Sequence, residues 1–423
     1  MYKKHVLSNG LRVVAHNMPD RDSISIGIWI GVGGRYEDDR VKGVAHFLEH
    51  IVFKGSHKYK CEEIKELVEG VGGSMNAFTS EEQTCYYAKI PSKHFEQTFD
   101  ILADIAFSPT IAHKDVLKER TVIIEEIKMY RDLPQYYVLE LLDELLWPHH
   151  PLGKNLPGTP ETISAMKDKD LQAFHKATYY PENIVISVCG RINDSKIIKL
   201  VQKRLGGIHR KGHAQYIPFS ENPAGPSFRH HPRGIEQLHL ALGVLGYDEN
   251  HKDRYVLSLL SVILGGNMSS RLFVEIREKR GLAYSISCSA KALHDTGVFM
   301  IRAGLDQKNI VHAVQLILKE LDKVKQKEVS VGEFRRAKDY VLGQFLLNLE
   351  DTMEHMLWLG ESVISKNKIE SLKDIISQFE RIQRSDVKRV ACDVLEKNRY
   401  KMALVGPLSD DQKRELHHLL GIK

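Results

Sequence analysis

The chain has few cysteines and no long apolar run. Its cysteines are Cys61, Cys85, Cys189, Cys288 and Cys392. An odd, scattered set is typical of reduced thiols and argues against a disulfide framework or a cysteine-based metal site. No apolar run approaches the roughly 20 residues that cross a membrane, and the N-terminal segment 1–10 lacks the apolar core of a signal peptide. We therefore expect a cytoplasmic protein with no membrane association.

The chain also lacks an excess of either charge. Lysines and arginines number 60 against 55 acidic residues, which gives a formal net charge of +5 over 423 residues. No basic patch with interleaved aromatic residues is present, so the sequence predicts no nucleic-acid partner. Charged residues make up 27% and are well mixed, which is not the composition of a disordered chain. A large globular protein is the remaining class.

Histidine, by contrast, is frequent, and one pair has the spacing of metal ligands. His46 and His50 lie four residues apart in a predicted helix over 44–53, so their side chains share one face with Glu49 beside them. This H-x-x-E-H order is that of the inverzincin metallopeptidases. With 21 histidines in the chain such pairs also arise by chance. The motif alone therefore leaves a solvated helix face as an equal alternative.

A second predicted helix, over residues 115–133, offers a third ligand. Glu119 and Glu126 are seven residues apart and so lie nearly on one line of the helix, within an otherwise apolar stripe. Zinc hydrolases usually hold the ion with three protein groups and leave the fourth position to water. We expect Glu126 to be the third ligand and Glu119 to orient a ligand histidine. The alternative is a surface helix whose glutamates bind no metal.

These segments together resemble the insulinase, pitrilysin and mitochondrial processing peptidase family. The resemblance extends along nearly the whole chain and is carried by His46–His50, by Glu119–Glu126, by the segment 72–79 (Gly-Gly-Ser-Met-Asn-Ala-Phe-Thr) and by the segments 269–273 and 277–285. It implies a zinc metalloendopeptidase with one Zn²⁺ per chain. The implied residues are His46, His50 and Glu126 for the metal, Glu49 as general base, Glu119 as the carboxylate that orients a ligand histidine, and Asn76, Ala77, Arg277 and Tyr284 for the substrate.

An internal repeat divides the chain into two halves. The segments 170–171 and 183–190 recur at one constant offset as 386–387 and 399–406. A repeat of roughly 200 residues indicates duplicated domains rather than a solenoid. We predict a catalytic zinc-binding domain over 1–205, a linker over 206–228 and a homologous metal-free substrate-binding domain over 229–423. The second copy has no H-x-x-E-H, so only one half is expected to be catalytic.

The pattern of predicted elements indicates an α+β fold in each half, with helices packed on one face of a mainly antiparallel sheet. Predicted strands cover 3–7, 11–17, 24–32, 74–80, 83–90 and 183–189. Predicted helices cover 44–53, 61–71, 95–107, 115–133, 136–146 and 169–179.

The resemblance also implies an assembly and a mode of substrate capture. Family members of this size resemble half of the larger single-chain enzymes, which implies a clamshell chamber built by two chains, as a homodimer or a heterodimer with an inactive paralogue. Peptides or unfolded segments would pair as an added β-strand with the edge strand at 74–79. Arg277 would contact substrate carbonyls and Tyr284 would stabilise the developing oxyanion, within one chain or across the dimer. An exposed helical arginine and a half-buried strand tyrosine are the alternative reading of these two residues.

Three other functions stay open from the sequence. A non-proteolytic assembly or regulatory subunit of a processing-peptidase-like complex would share the fold, although an intact ligand set argues against it. A metal-dependent lyase of the S-ribosylhomocysteine-cleaving type shares the H-x-x-E-H order, but it is much shorter and uses a cysteine ligand, and no cysteine neighbours this motif. A cation-storage module would bind metal without hydrolysis.

Overall fold

The computed structural model describes residues 2–221 and 227–422, which form two compact units that interleave along the sequence. The first unit comprises Met1–Ile127, Asn155–Ile217 and Phe345–Glu370. The second comprises Lys128–Lys154, Pro218–Gln344 and Ser371–Lys423. The predicted boundaries at 205 and 228 rest on the sequence repeat and stay a prediction, and residues 222–226 of the predicted linker lie outside the described residues.

The regular elements of the described residues are as follows. The strands are β1 (Lys3–Val6), β2 (Arg12–Asn17), β3 (Ser23–Ile30), β4 (Ser74–Thr79), β5 (Thr84–Pro91), β6 (Ile184–Gly190), β7 (Phe228–His231), β8 (Gln237–Leu245), β9 (Ala283–Ala292), β10 (Gly297–Asp306) and β11 (Lys401–Val405). The first helices are α1 (Val44–Val52), α2 (Cys61–Glu69), α3 (Phe95–Phe107), α4 (His113–Asp132), α5 (Pro134–Leu146), α6 (Pro160–Ala165), α7 (Asp168–Thr178) and α8 (Asp194–Leu205). The later helices are α9 (Arg254–Gly265), α10 (Ile310–Gln326), α11 (Val331–Asn348), α12 (Thr352–Lys366), α13 (Leu372–Arg381), α14 (Arg384–Val394) and α15 (Asp410–Leu420).

The first unit is built on a six-stranded sheet in the order β1-β2-β6-β3-β5-β4. Every neighbouring pair is antiparallel except β2 and β6. The strands and helices predicted from hydrophobic periodicity in this half are all present, with closely similar ends. Strand β4 forms one edge of the sheet and, within residues 2–221 and 227–422, pairs only with β5, so one of its flanks has no partner strand there.

Helices cover both faces of this sheet, which explains why β3 reads as a nearly continuous apolar run. One face packs against the main hydrophobic cluster, which includes Phe47 of α1 and Phe99 of α3. The other face carries Trp29 and is covered by α12, through Met356, Leu359 and Val363. Helix α12 is contributed by the second half of the sequence, although it belongs to the first compact unit.

The second unit repeats this plan with a five-stranded sheet in the order β7-β11-β8-β10-β9. Its order matches β2-β6-β3-β5-β4, and β7 with β11 is again the parallel pair. The equivalent strands β6 and β11 each run into a glycine with positive φ, 138° at Gly190 and 133° at Gly406. Helix α5, from the first half of the sequence, packs on this sheet through Leu142. The predicted α+β class with two homologous domains is confirmed. Helices cover both faces of the first sheet rather than the one face predicted, because each half of the sequence supplies one helix to the sheet of the other.

The described residues also bear on the expectations for membrane spans and disulfides. No helix there combines the length and the apolar character needed to span a bilayer. All five cysteines are free thiols.

Candidate metal and catalytic site

Helix α1 carries the H-x-x-E-H motif, and a buried carboxylate holds the start of this helix. Glu37 accepts hydrogen bonds from the backbone N–H groups of Gly43 (3.0 Å) and Ala45 (2.8 Å), and its carboxylate lies 3.1 Å from Nζ of Lys42. The first N–H groups of a helix lack intrahelical partners and favour negative charge, so this carboxylate stabilises the N-terminus of α1. Gly43 has φ +94°, a left-handed conformation that favours glycine. Burial raises the pKa of Glu37.

Three side chains converge on one small volume of the first unit. Ligand atoms of His46, His50 and Glu126 all lie within 4.8 Å of one another. Oε2 of Glu126 is 3.8 Å from Nε2 of His46 and 3.3 Å from Nε2 of His50. Helix α1 thus supplies two imidazoles and α4 the carboxylate.

The two histidines respond in opposite ways to this environment. Burial, together with the neighbouring His50, lowers the pKa of His46 to about 4. Burial also opposes protonation of His50, but hydrogen bonds to Glu119 and Glu126 outweigh it and raise the pKa of His50 to about 9. The hydrogen bond to His50 in turn lowers the pKa of Glu126. At neutral pH the metal-free cluster therefore holds a neutral His46 and a protonated His50, and His50 lies between the carboxylates of Glu119 and Glu126.

Glu119 lies on the far side of His50 from Glu126. Its Oε2 is 3.2 Å from Nδ1 of His50, the nitrogen that does not face Glu126, and its Oε1 is 2.6 Å from Nζ of Lys54. Burial would raise the pKa of this carboxyl, but hydrogen bonds to His50 and Lys54 hold it below its usual value. This is the arrangement in which an outer carboxylate fixes the orientation of a ligand imidazole.

Glu49 lies on the same helical turn as His50 and is held by the edge strand β4. The hydroxyl of Thr79 donates to Oε2 of Glu49 at 2.5 Å. Burial raises the pKa of Glu49, while hydrogen bonds from the hydroxyl and the backbone N–H of Thr79 oppose the shift. A carboxylate with a raised pKa, beside a candidate metal cluster, is suited to accept and return a proton.

The predicted substrate residues Asn76 and Ala77 lie in the middle of β4. Oδ1 of Asn76 accepts the backbone N–H of Ala77 at 2.8 Å, which places this N–H on the unpaired flank of the strand. The side-chain amide predicted to contact substrate is therefore bonded within its own chain. Their roles in binding stay predictions.

Arg277 and Tyr284 lie in the second unit and are close to each other. The guanidinium carbon of Arg277 is 4.7 Å from the ring centre of Phe273 and 5.9 Å from that of Tyr284. Tyr284 is 75% exposed and lies on β9, the edge strand equivalent to β4. Arg277 lies in the helical segment Phe273–Glu278 before this strand and is also exposed, so both side chains are available for a ligand. Their predicted roles stay predictions.

Sequence reasoning missed three residues that support this site. Glu37 and Lys54 flank the motif and Thr79 ends the quoted segment 72–79, so each lies in or near a segment already singled out. In the sequence, only the charge of Glu37 and Lys54 and the hydroxyl of Thr79 could have indicated a role for these residues in the site. Their partners depend on how the loop before α1, the end of α1 and strand β4 meet in three dimensions, which periodicity does not predict.

The donor set fits a zinc ion. Two imidazole nitrogens and one carboxylate oxygen are the ligands of many catalytic zinc sites. Ligands about 2.1 Å from a tetrahedral ion lie about 3.4 Å apart, close to the 3.3 Å and 3.8 Å separations described above. Nδ1 of His50 faces Glu119, which leaves Nε2 to face the shared volume.

Comparison with family models gives two matches that together span most of the chain. Residues 12–160 match the insulinase family, peptidase family M16, and contain the H-x-x-E-H motif and Glu126. Residues 166–341 match the peptidase M16 inactive domain, which contains Arg277 and Tyr284.

Individual relatives are similar over nearly their whole length. The uncharacterized zinc protease YmxG of Bacillus subtilis is 36% identical over 407 residues, covering 96% of this chain and 98% of the relative. The uncharacterized zinc protease ML0855 of Mycobacterium leprae is 35% identical, covering 95% and 91%. Among solved structures, a protease from Helicobacter pylori is 26% identical with a TM-score of 0.89, covering 96% of this chain and 99% of that one. A peptidase M16 inactive domain from Pseudomonas fluorescens, at 20% identity and TM-score 0.89, shares the fold over 96% and 98%.

Proposed function

Because this chain belongs to the insulinase family, peptidase family M16, we propose that it is a zinc-dependent endopeptidase that hydrolyses peptides or unfolded protein segments. One observation carries the proposal: His46, His50 and Glu126 converge from two helices, with Glu49 on the same helical turn. An inactive assembly or regulatory subunit would have no need to retain all four side chains in this arrangement.

Each residue of the cluster has a distinct task in the proposed reaction. His46, His50 and Glu126 hold one Zn²⁺, and Glu119 fixes the ring of His50. When bound, the ion supplies Lewis-acid chemistry, acidifying water and polarising a peptide carbonyl. Glu49 takes the proton of the attacking water and later returns it to the leaving amine. The raised pKa of Glu49 favours the first transfer, because a more basic carboxylate is a better proton acceptor, and its protonated form is still acidic enough to protonate the more basic leaving amine.

The substrate is proposed to bind as an added strand on the open flank of β4. Main-chain groups of an extended peptide would pair with those of the edge strand, which tolerates many side chains. The bond between Asn76 and Ala77 must then open, so that the N–H of Ala77 bonds the peptide instead. The freed amide of Asn76 can contact the same peptide.

The partner proposals rest on the family resemblance. We propose that two chains, in a homodimer or with a paralogue, enclose the substrate in a clamshell chamber, and that Arg277 and Tyr284 contact the bound peptide. The cytoplasmic location expected from the N-terminal segment and the cysteine pattern stays a prediction.

A fluorogenic peptide assay tests the proposal directly. Activity should be abolished by a chelator and restored by added zinc. The Glu49→Gln variant should retain zinc in metal analysis and lose turnover by at least about 100-fold, the usual size of a general-base contribution. Zinc binding without hydrolysis by the wild-type chain would instead favour a regulatory subunit or a storage module.

A further inference from the structure

The edge strand β4 presents its main-chain groups alternately to β5 and to the open flank. Ser80 N–H donates to the carbonyl of Gln83 at 2.8 Å, at the turn between the two strands. In an antiparallel ladder only every second pair is hydrogen-bonded, so the neighbouring pair Thr79 and Thr84 is a non-bonded pair. The bond from the N–H of Ala77 to Oδ1 of Asn76 agrees with this alternation, because it shows that Ala77 also faces outward.

The side chain of Thr79 links this open flank to α1. Thr79 ends β4, and its hydroxyl reaches Oε2 of Glu49 on α1 at 2.5 Å. The backbone N–H of Thr79 bonds the same carboxylate, so two donor groups of this one residue hold Glu49. One residue therefore touches the predicted base and ends the flank on which the peptide is proposed to pair.

We propose that Thr79 is the positioning residue of the general base, holding the carboxylate of Glu49 in one orientation toward the attacking water at the end of the substrate strand. The inference rests on the proposed peptidase function and assigns to it a residue that acts through Glu49. Because Thr79 belongs to the substrate-binding strand, it also fixes which peptide bond of the added strand lies next to the base. A carboxylate free to rotate would lose this alignment, and small misplacements of a reacting group are costly.

The chain offers a matched control for the hydroxyl of Thr79. Thr84 is directly opposite Thr79 in the ladder, and its hydroxyl donates to the carbonyl of Val32 at 2.9 Å in a buried position. Thr84→Val removes a hydrogen bond from the same strand pair without touching Glu49. Thr79→Val removes the bond to the base and keeps the side-chain volume, while Thr79→Ser restores a hydroxyl.

The experiment measures kcat, KM and zinc content of the full-length zinc-loaded variants on one peptide. Thr79→Val should lower kcat at least about tenfold with zinc content unchanged and KM within about threefold, because binding does not require an aligned base. Thr79→Ser should recover kcat to within about threefold, and Thr84→Val should keep a kcat close to the wild type. An unchanged kcat in Thr79→Val, an equal loss in Thr84→Val, or no recovery in Thr79→Ser would each overturn the proposal.

A second readout separates this inference from the peptidase proposal itself. In metal-free protein, the shifts in unfolding midpoint caused by Thr79→Val and Glu49→Ala should be non-additive, because both delete one shared contact. The shifts of Thr84→Val and Glu49→Ala should add. If the wild-type chain proves inactive on peptides, non-additivity still supports the positioning of Glu49 by Thr79, and additivity overturns it.

Discussion

Nζ of Lys54 lies 2.6 Å from Oε1 of Glu119, while Oε2 of the same carboxylate lies 3.2 Å from Nδ1 of His50. The ammonium group, the carboxylate and the imidazole therefore form a short chain that ends at the candidate metal cluster. Lys54 is four residues after His50 and lies just beyond the end of α1. The same segment therefore supplies the ligand His50 and the cation that balances the charge of Glu119.

Glu119→Gln tests whether this carboxylate supports the metal. The amide keeps the size of the side chain but loses the negative charge that orients and polarises His50. We expect zinc affinity or peptidase rate to fall by roughly 10–100-fold, the usual effect of removing an outer partner of a metal ligand. Affinity is measured by competition with a chromophoric chelator.

Glu125→Gln is the matched control for this measurement. Glu125 is exposed on the same helix, α4, and is not part of the cluster. Its substitution should leave zinc affinity unchanged. An equal loss in both variants would assign the effect to the helix rather than to Glu119.

The raised pKa of His50 predicts a pH dependence in the metal-free protein. A pKa raised from 6.5 to about 9 means that protonated His50 stabilises the folded chain fully below pH 6.5. This contribution is lost as the pH rises through about 9. Thermal scans of chelator-treated wild type and His50→Gln should therefore differ most near pH 6 and converge toward pH 9 and above.

The same titration should appear in metal binding. Zinc requires a neutral imidazole, so binding near pH 7 should release a proton from His50, and affinity should increase as the pH rises toward 9. Calorimetry in buffers of different ionisation enthalpy measures the released proton. A constant proton count across pH 6–9 would contradict the assignment.

Strand addition predicts an alternating response to backbone methylation of the substrate. An edge strand bonds only every second residue of the peptide, so N-methyl groups at alternate positions should raise KM strongly and those between them should be tolerated. A set of singly methylated peptides, assayed for kcat and KM, tests this. Equal effects at adjacent positions would exclude regular pairing with β4.

Gly360→Ala tests the docking of α12 on the first sheet. A Cβ at this position would overlap the indole of Trp29, which is fixed by a 2.8 Å hydrogen bond from Nε1 to Oγ of Ser187. We expect destabilisation of about 1–3 kcal/mol or more from overpacking, seen as a lowered unfolding midpoint.

Gly343→Ala on α11 is the control for that substitution. A Cβ there would meet no atom within 4 Å. Alanine is the better helix former by about 1 kcal/mol, so this change should be neutral or stabilising. A loss of stability at Gly343 as large as that at Gly360 would show that helix propensity, rather than the contact with Trp29, is being measured.

Local pattern was enough to predict the strands and most helices of the first half of the chain and the candidate residues of the cluster. The H-x-x-E-H spacing places His46 and His50 on one face of a helix, and the seven-residue spacing aligns Glu119 with Glu126. These relations depend only on helix geometry, and the structure reproduces them. The strands of the first half follow in the same way from their apolar runs.

Relations between distant segments could not be predicted in this way. The apolar stripe of Met356, Leu359 and Val363 indicates an amphipathic helix but not which sheet it covers. Likewise, the hydroxyl of Thr79 finds Glu49 only because β4 ends beside α1. Such contacts depend on chain topology, and hydrophobic periodicity carries no information about it.

The placement of α12 has a consequence for how the chain folds during synthesis. The sheet that supports the histidine helix is complete once residue 190 has been made, yet one of its faces stays uncovered until residues 352–366 emerge. Domains otherwise fold as units from the N-terminus during translation. Nascent chains of this protein must therefore keep an apolar face with Trp29 exposed through much of elongation, and we expect ribosome-associated chaperones to bind there until α12 docks.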